Sequence, residues 1–478
     1  MKKIVQLINS LKPHEVKLIK NYYRKNKRRK NEIRLRLFSN ILKGKLSNIT
    51  TSDSSFSHLK SRVEKDIINL ISSQDIDKIY AMDFAKSAFR VKQEIIQSEL
   101  LFNRGAYLKA VKMVEELRVI SLNYELFEER VKINDMLRSH LAANLKDKRI
   151  EVLSSEIERD LKNLSWLMES KSNYLKALTA NSFSSKEEES NFIAKYSKEI
   201  GRVFKINRSH RIGMLYYVCR IRQFSTKHSF NMALSEALKF KDLIEESCIL
   251  NTGGNNLRIL TEISKIQFNL KLYPESYKNA LKAREYGYVG VLAELRLIEL
   301  LFLISFQARR IRVAKKHLEE GSKHNIILGE KGFLQAKWSF YDAALLFLNK
   351  KYSNSKELLD KLVKRDFKKD EYKWFIGFLV LKIIIEFELE NKEGAINRLR
   401  YFRLHMLKYK IKDRRIKTIY KIFKSLGENS CYDITYKKHK KLFVKLKTGK
   451  DEFYWNPLGY EIIRFDEWFV NKVSPRKR

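Results

Sequence analysis

The sequence predicts an all-α fold, an α-solenoid of helical hairpins, and three observations indicate it. Apolar residues make up 44% of the 478 positions, with 28 Phe and 23 Tyr, which is enough for a continuous core. Only 16 Gly and 4 Pro are present, whereas strand-rich folds need many of both for their tight turns. A small residue also recurs about every 40 positions between 233 and 395, as expected of stacked helical units.

The N-terminal residues 1–75 are predicted to form a basic helical module. Two helices are expected over residues 1–46, with Pro13 in a first turn, where its missing N–H costs no hydrogen bond. A linker rich in Ser and Thr follows at 48–57, and an amphipathic helix is expected at 56–72.

Residues 76–430 are predicted to form the repeat domain. The best-marked helical segments pair across short polar loops, as antiparallel hairpins require: 257–270 with 276–284, 291–306 with 312–320, 333–348 with 355–363, and 372–389 with 395–407. The small residues that open the second helices are Ala233, Ser276, Ala314, Ser355 and Ala395, at spacings of 43, 38, 41 and 40. The residues three positions earlier are Phe230, Tyr273, Ile311, Tyr352 and, departing from the apolar pattern, Lys392.

An earlier copy of this pattern, Gly105, Tyr107 and Ala110, resembles the most recognisable part of the tetratricopeptide repeat (TPR), and Tyr273 with Ser276 is a weaker match. The period near 40 is longer than the family's repeat of about 34 residues, which leaves a HEAT-like geometry as the alternative. The TPR resemblance implies a right-handed α-solenoid of about eight hairpins, whose groove, lined by the first helices, binds a peptide or protein. The opening residues 11–26 and 36–42 are also similar to helical-repeat proteins of Bacteroidota, which implies no function.

Residues 431–478 are predicted to form a short C-terminal cap that is rich in aromatic residues. The stretches 431–436 and 442–446 alternate apolar and polar side chains, a period typical of β-strands. A helix over 455–472 is expected to pack on the last repeat, because a solenoid must cover the core that its end would expose.

The sequence predicts no catalytic, metal or cofactor site, and the chain is not expected to be an enzyme. The nine histidines and three cysteines lack ligand or redox spacing, and no glycine-rich loop follows a strand. Cys219, near His210 and His228, is the only candidate for cysteine catalysis, and a buried structural thiol explains it better. A membrane-spanning helix needs about 18 consecutive uncharged apolar residues, and no run in the sequence is that long. We therefore expect a cytoplasmic protein without membrane contact.

Charge is the remaining functional signal. The net charge is +41, with 15 Lys/Arg against 2 Asp/Glu in residues 1–50 and 16 against 3 in residues 401–450. Such clusters attract polyanions, and binding of this kind depends steeply on salt. The candidate polyanion-binding residues are Lys20, Arg24, Lys25, Lys27, Arg28, Arg29, Lys30, Arg34, Arg36, Lys437, Lys438, Lys440 and Lys441.

These observations leave two hypotheses about function and one non-functional explanation of the positive charge. The leading hypothesis is a non-enzymatic scaffold or adaptor that binds a protein or peptide in the solenoid groove. The alternative is a protein, such as a regulator, that binds RNA, DNA or a ribonucleoprotein through its N- and C-terminal basic clusters. A lysine-rich composition that only maintains solubility explains the charge equally well. Nothing in the sequence sets the oligomeric state.

Overall fold

The computed structural model describes residues 2–9, 11, 13–25, 29–42, 54–72, 83–142, 148–179, 186–287, 291–323, 332–363, 371–411, 413–449 and 451–473. All regular elements in these ranges are helical, so the predicted all-α fold is confirmed. The chain divides into two compact units, Met1–Leu153 and Ser154–Arg478. This division lies within the predicted repeat domain 76–430, and the boundaries near 75 and 430 stay predictions.

The first unit contains two groups of helices with separate cores. The first group is α1 (Lys2–Asn9), α2 (Pro13–Lys25), α3 (Arg29–Leu42) and α4 (Ser54–Ser72), and the second is α5 (Asp83–Asn103), α6 (Tyr107–Asn123) and α7 (Phe127–Leu141). Ile19 and Phe38 are fully buried in the first core, and Val114 and Ile133 in the second. Residues 1–46 were expected to hold two helices, but their described part holds three, because Pro13 opens a new helix.

The second unit is an array of antiparallel helix hairpins. Its helices are α8 (Arg149–Leu178, beginning before the division), α9 (Lys186–Asn207), α10 (His210–Thr226), α11 (Phe230–Glu246), α12 (Gly253–Asn269), α13 (Tyr273–Glu285), α14 (Val291–Gln307), α15 (Ile311–Ser322), α16 (Phe333–Leu348), α17 (Tyr352–Val363), α18 (Tyr372–Glu388), α19 (Lys392–Lys408), α20 (Arg414–Asn429), α21 (Tyr432–Thr448) and α22 (Phe465–Val473). The predicted pairs correspond to α12 with α13, α14 with α15, α16 with α17 and α18 with α19.

The repeat-defining small residues occupy one structural position. Ala110, Ala233, Ser276, Ala314, Ser355 and Ala395 are each the fourth residue of a second helix and are completely buried. The helices approach so closely there that the Ser276 hydroxyl donates to the carbonyl of Ser264 at 2.8 Å, and the Ser355 hydroxyl to the carbonyl of Ala343 at 2.7 Å. A larger side chain has no room at this position, which explains the periodicity in the sequence.

The first residue of the second helix fills the space beside this close approach. Tyr107, Tyr273 and Tyr352 each pack on an aromatic ring five residues earlier, at the end of the first helix, with ring centroids 5.4–6.4 Å apart. These distances are typical of favourable aromatic pairs. The hairpins are therefore TPR-like in their own geometry, with a buried small residue and an adjacent aromatic side chain.

Enlarging the small residue gives a direct test of this packing. We expect Ala314→Leu to lower the free energy of unfolding by about 1–3 kcal/mol, because the added atoms have no space between α14 and α15. Lys315→Ala changes the neighbouring exposed position, where Lys315 and Glu319 form only a surface ion pair, and serves as the control. Chemical denaturation of the two variants measures the difference, and equal stabilities would contradict the account.

The turn inside each hairpin also has one geometry. It has three residues, and the central residue is in the left-handed region, with φ between 55° and 75° in all six copies: Gly105, His228, Lys271, Arg309, Lys350 and Glu390. In all six copies, the N–H after this residue donates to a carbonyl five residues earlier at 2.9–3.0 Å. This is the Schellman motif that ends helices, and only Gly105 is the glycine it usually uses.

The predicted strands of the tail are wrong. Residues 432–448 form the single helix α21, with a kink at His439 (φ −109°, ψ 18°). Its buried residues Thr435, His439, Phe443 and Leu446 recur every three or four positions, which is the spacing of a helix face.

The final helix begins ten residues later than the predicted 455, at Phe465. Asn456 starts a turn before it, in which the Asn456 side chain accepts the N–H of Leu458 at 3.0 Å. Pro457 and Gly459 follow in this turn, and both favour turns over helix.

Candidate interaction site

Four successive hairpin turns place a basic residue at their central position. These are His228 (between α10 and α11), Lys271 (between α12 and α13), Arg309 (between α14 and α15) and Lys350 (between α16 and α17). A long basic side chain in the left-handed region is less favourable than glycine. We call residues 227–229, 270–272, 308–310 and 349–351 the turn row.

Residues 451–473, the C-terminal segment, contact the ends of the first helices beside the turn row. Tyr454 stacks on His228 with ring centroids 3.8 Å apart and donates a hydrogen bond to Asn269. Further along, Gln307 donates to the carbonyl of Ile462 at 2.9 Å, and the Trp468 indole N–H donates to Glu388 at 2.6 Å. The segment therefore touches the first helices of several hairpins, rather than the last repeat alone.

A buried arginine anchors the segment. The Arg415 guanidinium, 3% exposed, contacts Glu461 at 2.6 and 2.8 Å and Asp466 at 2.8 Å, and both carboxylates are at most 5% exposed. Arg415 also donates to the carbonyls of Phe453 and Leu446 at 3.0 and 3.2 Å. Burial alone would lower the pKa of Arg415, but the attraction of Glu461 and Asp466 outweighs it and raises that pKa. The ion pairs thus fix the segment to α20.

The segment also closes over a first helix. Twelve consecutive residues, Phe375 to Glu386, are buried in α18, and a Cβ added at Gly377 would overlap the carbonyl of Tyr460. Glycine therefore allows the backbone of the C-terminal segment to approach α18 closely. At this position the face of the first helix is covered by the chain itself.

Two cavities remain between the turn row and the C-terminal segment. The larger, of about 610 Å³, has Arg309 and Lys350 at its edge and Phe306, Tyr352 and Trp468 in its wall. The smaller, of about 400 Å³, is lined by Lys227, Lys271, Lys447 and other residues of the turn row and segment. Arg464 contributes to both cavities. We call the two cavities together the cleft, and their volumes are within the range of ligand sites.

The cleft has positive charge that its own carboxylates do not neutralise. Glu388 in the larger cavity is already paired with Lys472 at 2.8 Å, and Glu467 with Arg464 at 2.9 Å. Within the described residues, Arg309 and Lys350 have no ion-pair partner, and both are exposed. The described residues that line the smaller cavity include no carboxylate. The cleft is therefore suited to an anionic ligand.

The described N-terminal candidates for polyanion binding lie on α2 and α3. Arg24, Lys25, Lys30 and Arg36 are exposed and Lys20 is half-buried. Lys27 and Arg28 lie outside the described residues, and of Arg29 only the backbone is described. Arg34 is held by an ion pair with Asp66 at 2.9 Å, to which the buried Tyr23 hydroxyl also donates at 3.1 Å. Arg34 and Tyr23 therefore belong to the structure of this helix group.

The C-terminal candidate residues lie on α21. Lys437, Lys438, Lys440 and Lys441 are all exposed there. The neighbouring helix α20 has its own exposed row, Arg414, Lys417, Lys421 and Lys424, of which Arg414 and Lys424 pair with Glu452 and Glu428. Burial lowers the pKa of His439, and the nearby Lys421 and Lys438 lower it further. The exposed basic residues of α20 and α21 thus lie on packed neighbouring helices, in a different unit from the N-terminal set.

In the described residues the Cys219 thiol is not activated, and there is no metal cluster or membrane-spanning helix. Burial raises the pKa of the Cys219 thiol to about 12, so the thiol is protonated near neutral pH and is a poor nucleophile. Among the described residues no group of His, Cys, Asp and Glu is arranged to hold a metal ion, and no helix has the length and apolarity to cross a membrane.

One buried lysine needs a structural explanation. Burial, together with the nearby charge of Arg398, lowers the pKa of Lys382 to about 8. Lys382 pairs with Asp360, while Lys356 pairs with Glu386 at 2.9 Å. These ion pairs link α17 to α18, and Lys382 lines none of the described cavities. We therefore assign Lys382 to the packing of the repeats.

The array of hairpins with a buried small residue, an aromatic neighbour and a Schellman turn makes this chain a TPR-like helical-repeat protein. One similar solved structure is Pseudomonas aeruginosa PilF, with 16% sequence identity, coverage of 52% of this chain and 98% of that chain, and a TM-score of 0.34. A second is the apo form of RapI, with 13% identity, coverage of 77% of this chain and 97% of that chain, and a TM-score of 0.45. A third is NprR in complex with its cognate peptide NprX, with 14% identity, coverage of 72% of this chain and 99% of that chain, and a TM-score of 0.35. No family model matches the sequence, and no curated protein matches it.

Proposed function

We propose that the chain is a non-enzymatic binding protein whose second unit takes an extended segment of a partner polypeptide into the cleft. The observation that supports this most is the cleft itself, which combines an aromatic wall with exposed cations that have no ion-pair partner among the described residues. Extended peptide segments commonly bind in grooves lined by aromatic side chains, and a few polar groups fix the orientation of a bound ligand. The sequence hypothesis put the peptide in a groove along the first helices, and the proposal moves it to the turn-row edge, because the C-terminal segment covers α18.

An extended segment fits this edge better than a helix does. The cavities follow the turns of successive hairpins, so their contacts are spread along a line. A β-like or polyproline-like strand advances about 3.1–3.4 Å per residue, whereas a helix advances only about 1.5 Å and is about 10 Å wide. The partner is therefore an unstructured stretch or a terminus that binds in an extended form.

Photo-cross-linking tests the location. A displayed library of random short peptides is selected against the full-length protein, and the enriched peptides are then incubated with two photoreactive versions of it. One version has the photoreactive residue at Asn349, exposed in the turn row, and the control has it at Lys282, exposed on α13. We expect cross-links from position 349 and few from position 282. Failure to enrich any peptide, or equal cross-linking at both positions, would contradict the proposal.

The same protein is titrated with labelled duplex DNA and single-stranded RNA at several salt concentrations. The proposal expects weak binding to both at physiological salt. Tight binding that decreases steeply with salt and is lost on replacing Lys437, Lys438, Lys440 and Lys441 by alanine would favour the nucleic-acid alternative.

A further inference from the structure

The C-terminal segment shows what kind of chain the turn row accepts. Residues 454–464 are non-helical, and the segment presents aromatic rings and carboxylates to the hairpins. Tyr454 stacks on His228 in one turn, and Glu467 lies 3.8 Å from Lys271 in the next. Two turns of the row therefore already contact an aromatic or an acidic side chain of this chain itself.

Among the described residues, the next two turns have no acidic partner. Arg309 and Lys350 have the same central position in their turns, with φ of 59° for both, and they line the same cavity. Carboxylates in that cavity's wall are paired with Lys472 and Arg464 instead. The segment thus leaves two equivalent cations, one hairpin apart, facing an open cavity.

The distance between hairpins sets the spacing of a ligand's charges. Packed helices are about 8–10 Å apart, so neighbouring turns are separated by about the same distance. A polyproline-like extended chain rises about 3.1 Å per residue and has three residues per turn, so its side chains at i and i+3 lie on one face, about 9 Å apart. A ligand that meets both cations therefore has acidic side chains at positions i and i+3, and the rings of Phe306, Tyr352 and Trp468 favour an aromatic or apolar side chain between them.

We propose that the partner segment is acidic, with two carboxylates three residues apart that pair with Arg309 and Lys350 around an aromatic residue. This inference rests on the proposed function and specifies its ligand. Positive charge in a partly enclosed cleft attracts such a segment and selects against neutral or basic ones. The segment binds next to the C-terminal segment and extends the same pattern of contacts to the following turns.

Defined peptides test the charge and its spacing. The probe is a capped peptide with glutamates at i and i+3 and a tryptophan between them. One control has glutamine at both positions, and a second has the two glutamates adjacent. Fluorescence anisotropy with the full-length protein is expected to give affinities about threefold weaker for each carboxylate removed, and the difference should shrink as salt increases.

The protein variants are matched in backbone conformation. Arg309→Asn with Lys350→Asn removes both cations and keeps a residue that tolerates the left-handed region. The control, Arg208→Asn with Lys410→Asn, removes two exposed cations that also have positive φ, 56° and 48°, outside the lining of the cleft. We expect the first pair to weaken binding of the acidic peptide about tenfold and to bind the glutamine peptide unchanged, while the control pair behaves as wild type.

Three results would overturn the inference: equal binding of the glutamate and glutamine peptides, equal binding of the two glutamate spacings, or equal loss in both double variants. If cross-linking still maps selected neutral peptides to position 349, the inference fails and the proposed function stands. If no peptide cross-links there at all, both fail.

Discussion

Replacing Arg415 with methionine is expected to lower the free energy of unfolding by about 3–5 kcal/mol, because Glu461 and Asp466 would remain buried without their partner. All three groups are at most 5% exposed in the native structure. The methylenes of methionine replace part of the arginine stem, so the loss comes mainly from the unpaired carboxylates and from the carbonyls of Leu446 and Phe453. Urea denaturation followed by circular dichroism measures it.

The adjacent residue provides the control. Arg414 pairs with Glu452 at 2.6 Å, but both side chains are more than half exposed. An exposed pair of this kind contributes about 0–1 kcal/mol, so Arg414→Met should unfold close to wild type. Similar destabilisation by the two substitutions would show that the Arg415 ion pairs do not anchor the C-terminal segment.

The second large effect is expected at Gly377. An alanine in the middle of a helix normally gains about 0.5–1 kcal/mol over glycine. At position 377, however, the added methyl group would overlap the backbone carbonyl of Tyr460, which cannot rotate away as a flexible side chain does. We expect Gly377→Ala to destabilise the protein by about 1–3 kcal/mol and to free the C-terminal segment from α18.

Gly427→Ala separates these two effects. Its methyl group would make ordinary contacts with Leu399 and Ile396, at 3.5 and 3.7 Å. Gly427→Ala should therefore gain helix propensity without a steric clash, so its free energy of unfolding should be no lower than that of wild type. Limited proteolysis of both variants reports on residues 451–473: faster cleavage in Gly377→Ala than in wild type and Gly427→Ala is the expected result. A Gly377→Ala protein as stable and as resistant as wild type would contradict the close approach.

The repeats were predictable from the sequence because their packing is local. A buried small residue four positions into each second helix leaves a period of about 40 in the sequence, and the tyrosines at the helix starts reinforce it. The strands predicted near 431–446 failed for a related reason. Apolar and polar side chains alternate at 431–436 and 442–446 and so suggested a two-residue period, while the buried Thr435, His439, Phe443 and Leu446 follow the helical period.

The cleft could have been noticed only in part. A basic residue lies five positions before the small residue in four successive copies, at His228, Lys271, Arg309 and Lys350, and this signal is visible in the aligned repeats. The path of the C-terminal segment is not visible in them. Tyr454 and Asn269 are 185 residues apart in the chain, and no local pattern encodes such a contact. Gly377, an isolated glycine in a mostly apolar helix, was an available indication of a close backbone approach.

Hydrogen exchange of the full-length protein, with and without the peptide that has glutamates at i and i+3, locates the peptide-binding surface. We expect slower exchange at the turn row, above all at residues 307–311 and 348–352, and no change in α2, α3 or α21. Protection confined to the basic helices α2, α3, α20 or α21, or no protection at the turn row at saturating peptide, would contradict this location.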